Sequence, residues 1–228
     1  MRHLIIVRHG NTFRPGETPT RVGARTDLPL VEGERARGAG RILRGLGLVP
    51  DRTFAAPLKR TLQTAKLILE ELGLDATVSP APDFTEIDYG PDENRTEDQV
   101  RLRLGRHYLA EEGLDTDQVP EERLRQRGEE ALGLWNARGI PPHGWKADPS
   151  AIAAAWRTFA ANIASGKKVL LVSSNGIIRF AFHLLPEAER ARFLEERNLK
   201  VSTGGVCVFA RSDGDWRCLH WNLKPESA

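Results

Sequence analysis

The chain has 228 residues, of which 40% are hydrophobic and 28% are charged, with 33 lysines and arginines against 31 aspartates and glutamates. This is the composition of an ordinary globular protein that can bury a core without disulfide bonds, and it argues against a largely disordered chain. The formal net charge of +2 gives no reason to expect nucleic acid or a membrane as a partner.

The first 80 residues alternate between short strands and amphipathic helices. A strand predicted at about residues 3–7 contains the apolar run Leu4-Ile5-Ile6-Val7, which is typical of a strand buried on both faces. Four further elements are then predicted from apolar spacing and from proline and glycine positions. They are a helix at about 34–46, a strand at 52–55, a helix with Pro57 in its first turn and Gly73 at its end, and a strand at 76–79.

Residues 80–150 lose this regular alternation. They carry charged helices and a turn-rich stretch at 139–145. We interpret them as an insertion in a single domain spanning 1–228, forming a lid or a substrate-selecting subdomain over the core. The candidate ligand contacts within the insertion are Tyr89, Arg95, Trp135, His143 and Trp145.

Regular alternation returns after the insertion. The pattern predicts a helix at about 151–164, a strand at 168–173, a helix beginning near Gly176, and a closing hairpin at 205–210 and 216–221. Strands that alternate with helices predict an α/β fold, a three-layer sandwich with a mostly parallel central sheet. The hairpin predicts at least one antiparallel edge, and the strand order stays open.

Cysteine content and the N-terminal sequence bear on location. The two cysteines, Cys207 and Cys218, are too sparse to indicate a disulfide framework and fit reduced thiols. The apolar run at the N-terminus is too short for a secretion signal, and no stretch is long enough to span a bilayer. A cytoplasmic location is therefore expected.

Polar residues follow predicted strands in three places, the segments 8–12, 56–65 and 173–179. In open α/β sheets, ligands bind beyond the carboxyl ends of the strands. An imidazole such as His9 can attack phosphorus, and a guanidinium such as Arg8 can hold phosphate oxygens bidentately. The start of a helix near Arg60 also favours anions. The segments therefore indicate phosphoryl chemistry, although His9 or Arg60 alone would equally suit an ordinary surface role.

Four motifs occur in an order that resembles the histidine phosphatase superfamily, also called the phosphoglycerate mutase-like family. They are Arg8-His9-Gly10, Gly23-Ala-Arg-Thr-Asp27-Leu-Pro-Leu30, Pro57-Leu-Lys-Arg60-Thr-Leu-Gln-Thr-Ala65 and Glu86-Ile-Asp-Tyr-Gly90. The resemblance runs from Arg2 to about Arg179 and is weakest across the insertion.

The resemblance implies a two-step phosphoryl transfer without metal or cofactor, on a small phosphorylated substrate. His9 would attack phosphorus to give a phosphohistidine, which water or a second acceptor then discharges. Arg8 and Arg60 would hold the equatorial oxygens, and Glu86 would give a proton to the leaving oxygen. The residues expected to complete the substrate pocket are Asn11, Thr12, Arg14, Ser174 and Asn175.

The third segment departs from the family pattern. Relatives normally read VSHGG where this chain has Val172-Ser173-Ser174-Asn175-Gly176, so Ser174 stands where the second histidine belongs. A serine hydroxyl can donate one hydrogen bond but carries no charge. A second departure is Pro15, in a loop where mutase-like members often carry asparagine.

Three functions remain open at this point. A divergent phosphatase is preferred, because the nucleophile His9 and the proton donor Glu86 both persist. The alternatives are a catalytically impaired protein that binds a phosphorylated ligand, and mutase-like phosphotransfer. A dinucleotide-dependent oxidoreductase is disfavoured because the first loop lacks the GxGxxG spacing. The sequence is silent on oligomeric state.

Overall fold

The computed structural model describes residues 1–225 and is built on one six-stranded sheet. The strands are β1 (Arg2–Arg8), β2 (Arg52–Ala55), β3 (Val78–Pro80), β4 (Lys168–Ser173), β5 (Val206–Arg211) and β6 (Arg217–Leu223), in the order β3-β2-β4-β1-β5-β6. The first four strands in this order are parallel, whereas β5 is antiparallel to β1 and β6 is antiparallel to β5. The predicted α/β fold with a mostly parallel sheet and an antiparallel edge is confirmed.

Helices cover both faces of this sheet. They are α1 (Glu34–Gly45), α2 (Lys59–Glu71), α3 (Glu97–Glu111), α4 (Glu121–Arg138), α5 (Pro149–Ala161), α6 (Asn175–Ile178) and α7 (Glu187–Glu196). Helices α1 and α2 pack on one face, and α5 and α7 pack on the other.

Strand β1 shows why the sheet is the middle layer. Ile5 and Val7 pack toward α1 and α2, while Leu4 and Ile6 pack toward α5. All four side chains are fully buried, because successive residues of a strand point to opposite faces. A continuous apolar run is therefore what this central position requires, and β1 ends where the polar residues begin.

The segment between β3 and α5 contains the helix pair α3 and α4. These helices cross closely because each carries a glycine at the contact. A Cβ at Gly105 would overlap the carbonyl oxygen of Leu124, and one at Gly128 would overlap that of Arg101. Asp88 ties the segment down, through Arg25 Nε at 3.0 Å and Lys146 Nζ at 3.3 Å. That residues 1–228 form a single domain, and that this segment forms a lid or a substrate-selecting subdomain, both stay predictions.

Several predicted elements differ in detail from the structure. Pro57 precedes α2, which begins at Lys59 with Leu58 as its N-cap, so the prediction that Pro57 lies in the first turn was wrong. Strand β3 begins two residues later than predicted and ends one residue later. Helix α7 was not predicted, because its face carries many charges and Phe193 is its one buried residue. Among residues 1–225, no helix has the length and apolar character needed to cross a membrane.

Candidate active site

A cavity of about 620 Å³ opens where β1 and β4 end. Its wall combines the loop after β1, the segment between β3 and α5, and the residues after β4. Seven of the nine predicted site residues line it, namely Arg8, His9, Asn11, Thr12, Arg14, Glu86 and Asn175. Arg60 and Ser174 do not lie on the wall. The carboxyl ends of parallel strands thus bring together residues that are far apart in sequence.

His9 is held as a neutral imidazole. It follows β1, and its backbone N–H donates to the Ser173 carbonyl at 3.0 Å. Its Nδ1 lies 2.8 Å from the Gly10 carbonyl oxygen, and a carbonyl only accepts, so Nδ1 carries the proton. Burial lowers the pKa of His9 well below its usual 6.5, and the positive charges of Arg8 and Arg60 lower it further. The Nε2 lone pair is consequently available for attack.

Arg8 contributes a guanidinium to the same wall. Its Nη1 donates to the Val201 carbonyl at 2.6 Å, and its Nε has no partner among residues 1–225. Burial lowers the pKa of Arg8, and the negative charge of Glu86 partly offsets that effect. The side chain stays a cation with donors left for an anion.

Glu86 is a buried carboxyl held by three donors. Oε1 accepts from the backbone N–H of Ile87 at 2.9 Å, while Oε2 accepts from the Gly176 N–H at 3.2 Å and from the Tyr89 hydroxyl at 3.3 Å. Burial and then the charge of Glu86 raise the pKa of Tyr89, so the phenol stays protonated and can donate. The arrangement fixes a proton-exchanging group in the wall that also holds His9.

Arg60 is fully buried and does not line the cavity. Its Nη1 donates to the Thr26 carbonyl at 2.8 Å, and its Nη2 donates to the carbonyls of Gly23 at 3.2 Å and Val22 at 3.4 Å. These bonds hold the loop that carries the second motif. The predicted contact of Arg60 with phosphate oxygens stays a prediction.

The segment after β4 is divided between the protein interior and the cavity. Ser174 is fully buried, and its hydroxyl has no partner among residues 1–225. Asn175 lines the cavity, and its Oδ1 accepts from the Val201 N–H at 2.8 Å. The predicted substrate contact therefore has a geometric basis at Asn175, whereas the contact at Ser174 stays a prediction without one.

The remaining predicted binding residues come from the loop after β1. Asn11 Oδ1 accepts from the Thr203 hydroxyl at 2.7 Å, so this side chain is fixed. Thr12 is half-buried and Arg14 is exposed. The loop after β1 thus places a fixed amide at Asn11 and an exposed cation at Arg14 on the cavity wall.

Sequence reasoning missed four basic residues on the wall. They are Arg21, Arg101, Arg179 and Lys200. One signal for Arg179 was present, since it is flanked by the apolar residues Ile177, Ile178, Phe180 and Ala181, which indicates burial. Charges on the insertion helices gave no comparable signal, because an arginine on a helix face usually contacts solvent.

Of the five ligand contacts predicted within the insertion, two line the cavity and three do not. Tyr89 and Trp135 line the cavity, whereas Arg95, His143 and Trp145 do not. Trp145 lies behind the wall, with its ring centre 4.7 Å from that of Tyr89 and 5.4 Å from that of Trp135. It packs against two aromatic residues of the wall, and its predicted contact with a ligand stays a prediction without a geometric basis.

Comparisons with known proteins agree with this architecture. A 2,3-bisphosphoglycerate-dependent phosphoglycerate mutase from Thermobifida fusca is 32% identical over 106 residues, which is 46% of this chain and 43% of the mutase. Our chain thus spans less than half the length of that relative. A mutase of the same name from Parvibaculum lavamentivorans is 23% identical over 220 residues, covering 92% of this chain and 90% of the mutase.

Solved structures and family patterns extend the likeness to the whole chain. A mycobacterial glucosyl-3-phosphoglycerate phosphatase, solved with VO3, has the same fold, with a TM-score of 0.66 and 22% identity over 97% of this chain and 99% of that one. Residues 4–224 match the histidine phosphatase superfamily (branch 1). The resemblance seen in the four motifs is thus confirmed, and the chain belongs to the histidine phosphatase superfamily.

Proposed function

We propose that this protein hydrolyses a small phosphate monoester through a phosphohistidine on His9. The observation that carries the proposal is the state of His9, a neutral ring whose Nδ1 is held by the Gly10 carbonyl at 2.8 Å on the wall of a cationic cavity. A neutral imidazole with a free Nε2 is the form that attacks phosphorus. Phosphatases and mutases are both similar to this chain.

The first step forms a nitrogen–phosphorus bond. The Nε2 lone pair attacks phosphorus, and the bond between phosphorus and the ester oxygen breaks. The Glu86 carboxylate takes the proton of the bound monoester and passes it to the leaving oxygen, so Glu86 is again a carboxylate at the end of the step. Arg8 donates to the equatorial oxygens, whose charge must be held as the phosphoryl group moves.

The second step returns the site to its starting state. A water molecule attacks phosphorus, the nitrogen–phosphorus bond breaks, and the Glu86 carboxylate takes a proton from the water and passes it to the released phosphate. The Gly176 N–H and the Tyr89 hydroxyl, both on Oε2, keep the carboxyl group in place through both protonation states. Phosphate and a neutral His9 remain, and no step needs a metal or a cofactor.

The openness of the cavity favours hydrolysis over mutase chemistry. Mutase action requires that the phosphorylated intermediate be kept from water while the substrate reorients. Here the cavity is bordered by exposed residues, among them Arg14, Pro15, Glu97 and Lys200. Water therefore reaches the wall that carries His9.

The test is turnover of an aryl phosphate together with a search for the intermediate. The protein is mixed with p-nitrophenyl phosphate, quenched in alkali, and mapped by peptide mass spectrometry. We expect phosphate release and an acid-labile phosphoryl group on His9. If both signals are absent in protein that still binds inorganic phosphate, the result would support the alternative of a catalytically impaired binding protein. Transfer to an added phosphoglycerate in preference to water would support mutase action.

A further inference from the structure

Arg179 is a buried cation that lies on the cavity wall. It is 1% exposed and follows α6 in a 3₁₀ turn. Its Nη1 donates to the Trp135 carbonyl at 2.5 Å, and its guanidinium carbon lies 4.0 Å from the centre of the Trp135 ring. Its Nε has no partner among residues 1–225. One hydrogen bond is thus formed by a group that has five N–H donors.

The charge of Arg179 is also unpaired. Within residues 1–225, no carboxylate oxygen lies within 4.0 Å of its guanidinium nitrogens. Burying a cation without a counterion is costly, so such groups normally pair with an anion. Because this guanidinium lines the same cavity as His9, a bound anion in that cavity would supply the missing partner.

Two other arginines, the buried Arg60 and the partly buried Arg8, provide a comparison for Arg179. Arg60 uses both of its terminal nitrogens on loop carbonyls and lies off the wall. Arg8 resembles Arg179, since it makes one carbonyl bond, keeps a free Nε and lines the cavity. Two guanidinium groups with spare donors therefore line the cavity that also holds His9.

We propose that Arg179 is a catalytic residue whose free N–H groups hold an oxygen of the transferring phosphoryl group. Ser174, which stands where relatives carry the second histidine, is buried and uncharged. Arg179, five positions later in the chain, would supply a positive charge in its place. The inference rests on the proposed function of the cavity, because it concerns the same phosphoryl group. It also explains why a charge is buried here without a carboxylate beside it.

A structural role is the rival explanation. The carbonyl that Arg179 contacts lies near the C-terminal end of α4, where helix carbonyls carry partial negative charge. Together with the stacking on Trp135, this contact could simply fasten α4 to the core. A fastening role predicts lower stability after substitution but no specific loss of oxyanion binding.

The experiment compares wild type with Arg179→Ala, Arg179→Lys and the control Arg190→Ala. Arg190 also donates to backbone carbonyls, of Leu185 at 2.9 Å and His183 at 3.2 Å, but does not line the cavity. Thermal melting and circular dichroism report folding, calorimetry reports orthovanadate affinity, and p-nitrophenyl phosphate reports turnover. Millimolar guanidinium is added to each variant, with sodium at equal ionic strength as the reference.

We expect Arg179→Ala to lose about 10²- to 10³-fold in kcat/KM, to bind vanadate at least about tenfold more weakly, and to recover at least about tenfold in rate with guanidinium. Arg179→Lys should keep part of the activity, because it retains the charge but loses the fork of donors. Arg190→Ala should match wild type in vanadate affinity and show no rescue. Folded Arg179→Ala with vanadate affinity within about threefold of wild type would overturn the inference.

Should Arg179→Ala fail to fold, Arg179→Lys decides the matter. Vanadate affinity and kcat/KM within about threefold of wild type would overturn the inference, and a fall in both beyond that would support it. Failure of the proposed function is recognised separately. Wild type that binds vanadate but shows neither turnover nor a phosphoryl label on His9 would refute the proposed function. The ratio of vanadate affinities between wild type and the Arg179 variants would still test whether Arg179 binds the oxyanion. Wild type that does not bind vanadate would overturn both.

Discussion

Two parts of the cavity differ in how firmly their charged groups are held. We define the buried wall as His9, Glu86, Tyr89, Trp135 and Arg179, all of them buried, and the exposed rim as Arg14, Pro15, Pro19, Glu97 and Lys200, all of them exposed. Each polar side chain of the buried wall is hydrogen-bonded to another part of the site. On the rim, the side chains of Arg14 and Lys200 bond to no residue among 1–225. Glu97 is the rim residue whose charge is paired, since it accepts from Arg21 at 2.7 Å.

From this difference we expect the buried wall to act in the chemical step and the exposed rim to act in substrate binding. A fixed group in a low-dielectric wall stabilises charge without reorganising, whereas an exposed charge is screened by water and salt. We therefore expect substitutions in the buried wall to change kcat and substitutions in the exposed rim to change KM.

Removing the nucleophile should have the largest effect. His9→Asn deletes Nε2 as an attacking atom, and we expect turnover of p-nitrophenyl phosphate to fall by at least about 10⁴-fold, with loss of the phosphoryl label. His220→Asn, on the edge strand β6, is the control and should leave both signals intact. A label that persists in His9→Asn would place the intermediate elsewhere.

The two glutamates of the cavity compare the buried wall with the exposed rim directly. Glu86→Gln removes the proton donor, and we expect kcat to fall by about 10²- to 10³-fold for an alkyl phosphate. The loss should be smaller for p-nitrophenyl phosphate, whose leaving oxygen needs little protonation. Glu97→Gln should change kcat less than about threefold with either substrate. Equal losses of kcat in Glu86→Gln and Glu97→Gln would contradict the expected difference between the buried wall and the exposed rim.

The basic residues of the exposed rim should act through substrate capture. For Arg14→Ala and Lys200→Ala we expect KM to rise about three- to tenfold at low salt with kcat unchanged, and the difference should shrink as salt is added. Arg217→Ala, exposed on β6 and off the cavity, controls for net charge. A kcat loss without a KM change would assign these residues to the chemical step.

Protonation of His9 should give the smallest effect. Its pKa is lowered well below 6.5, so its ring resonances should keep their neutral positions in NMR spectra as pH falls from about 7.5 to about 5.5. The unfolded chain binds a proton in that range and the folded chain does not. His9 should therefore make the free energy of unfolding decrease as pH falls, by at most about 1.4 kcal/mol per pH unit.

Urea unfolding of wild type and His9→Asn at both pH values measures this contribution. The asparagine variant should lack the His9 part of the pH dependence. A His9 ring that titrates near 6.5 in the folded protein would contradict the neutral, buried nucleophile.

The sequence predicted the parts of the fold that depend on local pattern. The bounds of four elements were predicted to within a residue or two, those of β1 and β4 from apolar runs and those of α1 and α2 from helical spacing. This was possible because the burial of each element follows from the apolar pattern of its own residues. His9 and Arg8 were predicted from their position at a strand end. Glu86 came from the family resemblance alone, since one carboxylate among many acidic residues carries no pattern of its own.

What the sequence did not give depends on long-range contact. The burial of Arg60 behind the cavity lining goes with hydrogen bonds to carbonyls 34 to 38 positions earlier in the chain. The place of Arg179 on the wall follows from Trp135, 44 residues before it. No local propensity encodes either contact. The same applies to Ser174, whose burial is set by the packing around the end of β4.

The pairing of β1 has a consequence for synthesis of the protein. Strand β1, at whose end His9 lies, pairs with β4 and β5, which are translated 165 to 209 residues later. A nascent chain holding His9 therefore has no neighbouring strand on either side of β1 until β4 and β5 have been made. The surroundings that bury His9 thus form late, and the long-range pairing that delays them also slows folding.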